Sequence, residues 1–267
     1  MEAFYRQIDD NRFESTPMTA GPWSPEHQHA GPPSALLARQ MAAVDPREGQ
    51  RLADVRVDIL GPVPVVPLEI SVEVIRGGRS MELVSASASA NGRPALVARA
   101  WRILAAPDSY PEVPGRRDPE DPRLLPDDVP PAEEKLSTIP GAHTGGYGSA
   151  IEWRFLEGGA GTRAPAVAWG RQLNQLVEGE EPTGWQRTLV LADSGGGISL
   201  PVDPLSHRLI NCDLHVVLDR EPTGEWVRMN SQSIVTPGEG GLVHTELADA
   251  KGGIGYGLQT MVAQNIG

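Results

Sequence analysis

A helix that is apolar on nearly every face has to be enclosed on most sides, and this chain carries two such stretches about half its length apart. The first, Ala35 to Val44, has only Arg39 and Gln40 as polar residues, and Pro32-Pro33-Ser34 ahead of it suit a helix start. The second, Pro182 to Ser194, is oily through Leu189-Val190-Leu191-Ala192 and holds one carboxylate near its end, Asp193. Gly195-Gly196-Gly197 then reads as a helix stop. Material to enclose each helix follows it. After the first, Leu52 to Leu60 and Leu68 to Val74 alternate polar with apolar residues, the period of a half-buried strand. Met81 to Ala90 is a strand of small residues, and Asn91-Gly92 turns it into Ala95 to Leu104. After the second come Cys212 to Leu218, Glu225 to Val235, Leu242 to Ala248 and Gly255 to Val262, with Lys251-Gly252-Gly253 as a hairpin turn. Shorter strands precede each helix: two within Phe4 to Ser15, then Ser149 to Phe155 and Ala166 to Arg171.

The order of element types therefore runs twice, a repeat of architecture rather than of sequence. Small residues such as Ala86, Ala88 and Ala90 let a sheet close on its helix. The expected fold is α+β, a double hot-dog: two curled antiparallel sheets, each wrapping a central helix. Its units are expected at residues 1–105 and 149–267. Residues 106–148 join them, opening in a Pro-, Asp- and Glu-rich run that reads as a linker.

The 35 acidic residues against 23 basic ones leave a net charge of -12, which argues against a general nucleic-acid binder. One cysteine, Cys212, excludes an internal disulfide and a cysteine-built zinc site. Met1 to Arg6 lacks the pattern of a signal peptide, and no apolar run reaches the length of a membrane span. A soluble cytoplasmic protein is expected. His27 and His29 sit two apart before the first helix, but no acidic or histidine neighbour completes a ligand motif. No metal and no cofactor are expected. Cys212, on a strand, reads as a small buried hydrophobe rather than a nucleophile. Ser194 lacks the Gly-x-Ser-x-Gly elbow of a hydrolase serine.

An aspartate inside an oily run is costly unless it is paired or used. Taken alone, Asp193 is equally a helix-end residue bonded to the glycine turn or to an arginine. Gln259, in Tyr256-Gly257-Leu258-Gln259-Thr260, is alone an edge-strand glutamine, and Asn211 a strand-start residue. Together they resemble the acyl-CoA thioesterase II family, over both halves and most specifically in the second. That family has an Asp near the end of its second hot-dog helix, matched here by Asp193. It has a strand opening in Thr, an Asp two residues on, and then a basic-Pro turn. Asn211-Cys212-Asp213 running on to Arg220-Glu221-Pro222 follows that pattern, with Asn211 at the Thr position. A Gln stands on its last strand, here Gln259, and Arg76-Gly77-Gly78-Arg79-Ser80 is similar to a turn in its first half.

The resemblance implies hydrolysis of a fatty acyl-CoA to free acid and CoA by a water held among Asp193, Asn211 and Gln259. Asp193 would be the base or the group orienting the water; neither amide can accept the proton. Asn in place of Thr keeps a hydrogen-bonding side chain but changes the donor and acceptor geometry. Gly31, with His29 beside it, is the candidate for the oxyanion and substrate. Arg76 and Arg79 are candidates for the CoA phosphates, against a solvated turn. A hot-dog dehydratase, kept open by His29, and a non-hydrolytic binder of acyl-CoA or acyl carrier protein are the alternatives. Association of whole chains into a homo-oligomer through exposed sheet edges is a further expectation.

Overall fold

In the computed structural model, residues 2–113, 125–131, 142–159, 162–163 and 165–266 are described. The first half contains β1 (Ala3–Gln7), β2 (Arg12–Ser15), β3 (Ala20–Gly21), β4 (Ser24–Gln28) and α1 (Gly31–Ala43). Five strands follow: β5 (Gln50–Leu52), β6 (Asp54–Ile59), β7 (Leu68–Arg76), β8 (Met81–Ala90) and β9 (Arg93–Leu104). The second half opens with α2 (Tyr147–Ala150), β10 (Ile151–Glu157), β11 (Ala166–Gln172) and β12 (Gln175–Val177). Then come α3 (Gly184–Ala192), α4 (Gly195–Ile198), β13 (His207–Asn211), β14 (Asp213–Leu218), β15 (Trp226–Thr236), β16 (Gly240–Asp249) and β17 (Gly252–Asn265). Much of the expected linker, residues 106–148, lies outside the described residues. Among the described residues no helix is long and apolar enough to cross a membrane.

Apart from β3 and β4, which pair in a small sheet of their own, the strands do not divide into one sheet per half. They form one sheet of 15 strands, in the order β10-β11-β15-β16-β17-β14-β6-β9-β8-β7-β2-β1-β12, with β13 on β17 and β5 on β9. The join is β14 against β6, antiparallel from Asp213↔Asp58 to Val217↔Asp54. Each would otherwise be an edge strand with a row of open backbone groups, and pairing them satisfies both edges at once. β12, from the second half in sequence, pairs parallel with β1 through Ala3↔Gln175 and Tyr5↔Val177.

The strand expected over Leu52 to Leu60 is broken at Ala53, and its counterpart is broken at Cys212. The two breaks are built alike. Asp54 Oδ1 accepts the Trp101 amide at 2.7 Å, and Asp213 Oδ1 accepts the Thr260 amide at 2.6 Å. These anchors relate the two halves position by position.

Inside the sheet α1 packs along α3. Leu36, Leu37 and Met41 of α1 are fully buried, as are Leu189, Val190 and Leu191 of α3. Burying a side chain of that size stabilises the fold by about 1.5–3 kcal/mol. Gly31 makes the closest approach: a Cβ there would overlap the Val190 carbonyl oxygen, so only glycine fits. α3 starts at Gly184 because Thr183 caps it, the Gln186 amide donating to Thr183 Oγ1 while the Thr183 amide donates to Gln186 Oε1. The three glycines do not simply stop the helix. Asp193 caps α3, and Gly195 to Ile198 wind one further turn, α4. A Cβ on Gly195 would stand 2.7 Å from Thr245 Oγ1 and 3.1 Å from Gln259 Oε1, so glycine lets α4 lie close against β16 and β17.

Candidate active site

Asp193 is fixed by the backbone before its side chain does anything, as the residue closing α3. Its side chain is 4% exposed and is met from two directions. From the second half, Asn211 at the end of β13 donates its Nδ2 to Asp193 Oδ1 at 2.7 Å. Gln259 on β17 points Nε2 at the Asp193 carbonyl at 3.2 Å and at Oδ1 at 3.4 Å. Asn211 pairs with Met261 on the same strand that carries Gln259, so β17 holds both amides in one frame. Gln259 Oε1 is buried and has no hydrogen-bond partner among the described residues.

From the first half comes His29, 12% exposed, with Nδ1 at 3.0 Å from Asp193 Oδ2. It lies one residue beyond β4, whose end is tied down tightly. Tyr5 donates to Gln28 Oε1 at 2.7 Å, and Gln28 Nε2 donates to Ser15 Oγ and to the Pro64 carbonyl, each at 2.8 Å. The His29 amide donates to the Thr19 carbonyl at 2.8 Å. The Gly31 amide donates to His29 Nδ1 at 3.2 Å. One ring nitrogen cannot serve both neighbours at once. Unprotonated, it accepts from Gly31; protonated, it donates to Asp193. Burial pushes the His29 imidazole below its ordinary range, and the Asp193 charge opposes that.

A residue not anticipated from sequence completes the cluster. Tyr147, the first residue of α2, lies flat on His29 with ring centroids 3.7 Å apart and planes 2° from parallel. Its hydroxyl donates to the Val190 carbonyl at 2.9 Å and shares a hydrogen bond of 2.7 Å with Ser194 Oγ. Burial raises its phenol well above the ordinary tyrosine range. Ser194 is thus a partner of Tyr147.

The other expected positions lie elsewhere. Arg76 closes β7 and donates to the Met81 carbonyl at 3.3 Å, a contact within its own turn. The Arg79 carbonyl in that turn accepts from Gln50 Nε2 at 3.2 Å. Cys212 is exposed, contrary to the expectation of a buried hydrophobe, because it occupies the break between β13 and β14. Among the described residues no group of three His, Cys, Asp or Glu side chains is arranged to hold a metal ion.

Two family models match the chain: an acyl-CoA thioesterase N-terminal domain over residues 19–103 and an acyl-CoA thioesterase C-terminal domain over residues 119–263. The chain belongs to the acyl-CoA thioesterase family. It is a hydrolase of thioester bonds. The second match takes in Asp193, Asn211 and Gln259, and the first takes in His29 and Gly31. No curated protein matches the chain significantly. Among solved structures, a hot-dog protein of unknown function from Alicyclobacillus acidocaldarius superposes with a TM-score of 0.73 at 15% identity, over 100% of this chain and 97% of its own. An acyl-CoA thioesterase II from Mycobacterium marinum matches with a TM-score of 0.64 at 13% identity, over 98% of this chain and 95% of its own. A dehydratase domain from the curacin polyketide synthase matches at 0.51 and 12% identity, over 99% of this chain and 98% of its own. These likenesses establish the hot-dog fold of this thioesterase.

Proposed function

We propose that this thioesterase hydrolyses a fatty acyl-CoA by direct attack of one water, held at Asp193 by Asn211 and Gln259. The observation that carries the reading is the buried Asp193 carboxylate, gripped on Oδ1 by amides from β13 and β17 and faced on Oδ2 by His29. Asp193 takes the water's proton as the oxygen bonds to the thioester carbon. Gln259 Oε1 is a buried acceptor suited to orienting that water. The carbonyl oxygen becomes an oxyanion and needs donors. The Gly31 amide is available to it when His29 Nδ1 carries a proton and turns its bond to Asp193. Collapse expels the CoA sulfur, which takes up the proton, leaving free acid and thiol. A thioester is reactive enough for orientation plus one nearby base to suffice.

Arg76 and Arg79 belong to the reading as contacts for CoA phosphates. Their replacement by Ala is expected to raise KM and leave kcat unchanged. The His29–Asp193 pair also favours a second reading, a dehydratase, since that chemistry uses a histidine with a carboxylate.

The test is release of free thiol from a panel of acyl-CoAs of differing chain length, by wild type and by Asp193→Asn. Loss of at least about a hundredfold in kcat with folding intact is expected. Undiminished release by the variant sinks the assignment. Water addition to a 2-enoyl-CoA without thiol release selects the dehydratase, and tight binding with neither reaction selects a binding module.

A further inference from the structure

The segment before β10 has the composition of a connector, yet it delivers Tyr147 to the centre of the molecule. Gly146 makes this possible. Its φ of 61° is left-handed, and a Cβ there would meet the Ala20 carbonyl at 2.6 Å and the Pro17 carbonyl at 2.8 Å. The His143 amide donates to the Pro22 carbonyl at 2.7 Å. So the start of the second half is seated on the first half next to β4, the strand that ends just before His29. From there Tyr147 reaches between the halves. Its hydroxyl is fixed at the end of α3 by the Val190 carbonyl and Ser194, one residue from Asp193. Its ring covers one whole face of the His29 imidazole.

We infer that Tyr147 is a positioning residue for the thioesterase reaction: it fixes the plane of His29 so that Nδ1 is held toward Asp193 Oδ2 and the Gly31 amide. The inference rests on the proposed role of the His29–Asp193 pair. It follows from how little else fixes that ring. The backbone bond of His29 to Thr19 sets the Cα, and Nδ1 has two partners that compete for it. Rotation about the last side-chain bond would carry Nδ1 away from both at once. The stacked phenol prevents that rotation, and the two bonds on its hydroxyl stop the phenol itself from moving. Burial favours the neutral phenol, whose hydroxyl anchors the ring through the Val190 carbonyl and Ser194.

The titratable groups set against His29 are Asp193, from the end of α3, and Tyr147, from α2. This makes a pH profile diagnostic. Tyr147→Phe keeps the ring and is expected to keep the acid limb of kcat/KM where wild type has it. Tyr147→Leu removes the ring, admits water to the imidazole and frees it to turn. Its acid limb is expected to move to higher pH: the wetted ring relaxes upward toward its ordinary range, and an imidazolium bonded to Oδ2 weakens Asp193 as the base, so the limb reports the coupled pair. Its kcat is expected to fall about tenfold or more with KM little changed, since misplacing a reacting group costs rate before binding. Tyr147→Met, which fills the space without a plane, is expected to behave like Leu. A merely structural Tyr147 would lower the melting temperature in these variants and leave the pH limb in place, and that result overturns the inference. Failure of both Leu and Met variants to fold assigns the residue to folding alone and likewise overturns it. The proposed function is tested separately by Asp193→Asn. If that variant keeps full turnover, the site reading fails, whatever Tyr147 does.

Discussion

Asp193 Oδ1 and the Asn211 amide are 2.7 Å apart, and both belong to elements that cannot easily move. That makes the pair sensitive to charge. In Asn211→Asp two carboxylates would share the contact, and like charges at that range force one of them to hold its proton to higher pH. The acid limb of kcat/KM is expected to move up and turnover at neutral pH to fall about tenfold or more. Asn211→Thr, which restores a neutral donor, is expected to leave the limb in place. A pH–rate profile of both variants checks this, and an unshifted limb in the Asp variant rules out Asp193 as the base. His29 gives a second prediction, in stability. Burial holds the folded imidazole below its ordinary range, while in the unfolded chain it titrates at about 6.5. The unfolded state therefore binds the proton more readily. Stability from burying the neutral ring is full above about pH 6.5 and falls as the pH drops through that value. Melting temperatures of wild type and His29→Gln between about pH 7 and 5 test it: wild type should lose stability more steeply, and parallel curves would refute it.

At the scale of elements, the site depends on how closely α1 lies on α3. Gly31 is both the contact point and the neighbour of His29, so Gly31→Ala pushes the helices apart where His29 faces Asp193. A loss of about 1–3 kcal/mol, typical of overpacking, is expected together with loss of turnover. Denaturant unfolding and the thiol-release assay read the two effects. A stable, fully active Gly31→Ala would show that the helices have room to spare. A close helix contact of this kind is not written in local pattern, whereas other parts of the molecule are. Strands such as β7, β8 and β16 are legible in the sequence because one face is buried and the period of two is written in their residues. Asp193, Asn211 and Gln259 are legible as a motif, and they do meet. Tyr147 is not. It sits between Gly146 and Gly148 in a segment with no period, and its importance arises only from where the chain docks. The Asp193–His29 contact is equally hidden, since it depends on how α1 and α3 pack together, which local pattern does not specify. The β6–β14 join is hidden for the same reason: two half-buried strands look alike whether they end a sheet or continue one.

For the whole molecule, the repeated architecture does not mean a repeated site. Asp54 and Asp213 hold equivalent places at the two strand breaks, each bonded to the amide opposite. Counting back two residues from each pairs Asn211 with Leu52. Counting back one from Trp101 and Thr260 pairs Gln259 with Ala100. The first half therefore lacks both amides. A buried ion pair stands near the end of α1 instead. Arg102 Nη2 meets Glu82 Oε2 at 2.7 Å, Arg102 Nη1 donates to the Val44 carbonyl, and Arg47 Nε meets Glu82 Oε1 at 2.8 Å. Glu82 is 1% exposed, so Glu82→Gln leaves the Arg102 charge buried without its carboxylate. Removing one partner of such a pair costs about 3–5 kcal/mol. Because β6 and β14 join the halves in one sheet, that loss is expected to lower a single calorimetric transition for the entire chain. The folded variant is expected to keep wild-type kcat, since Glu82 touches no member of the Asp193 cluster. If the scan instead splits, with one half melting early and the other at the wild-type temperature, the shared sheet does not couple the halves. If kcat falls with the fold intact, the ion pair reaches the site by a path other than stability.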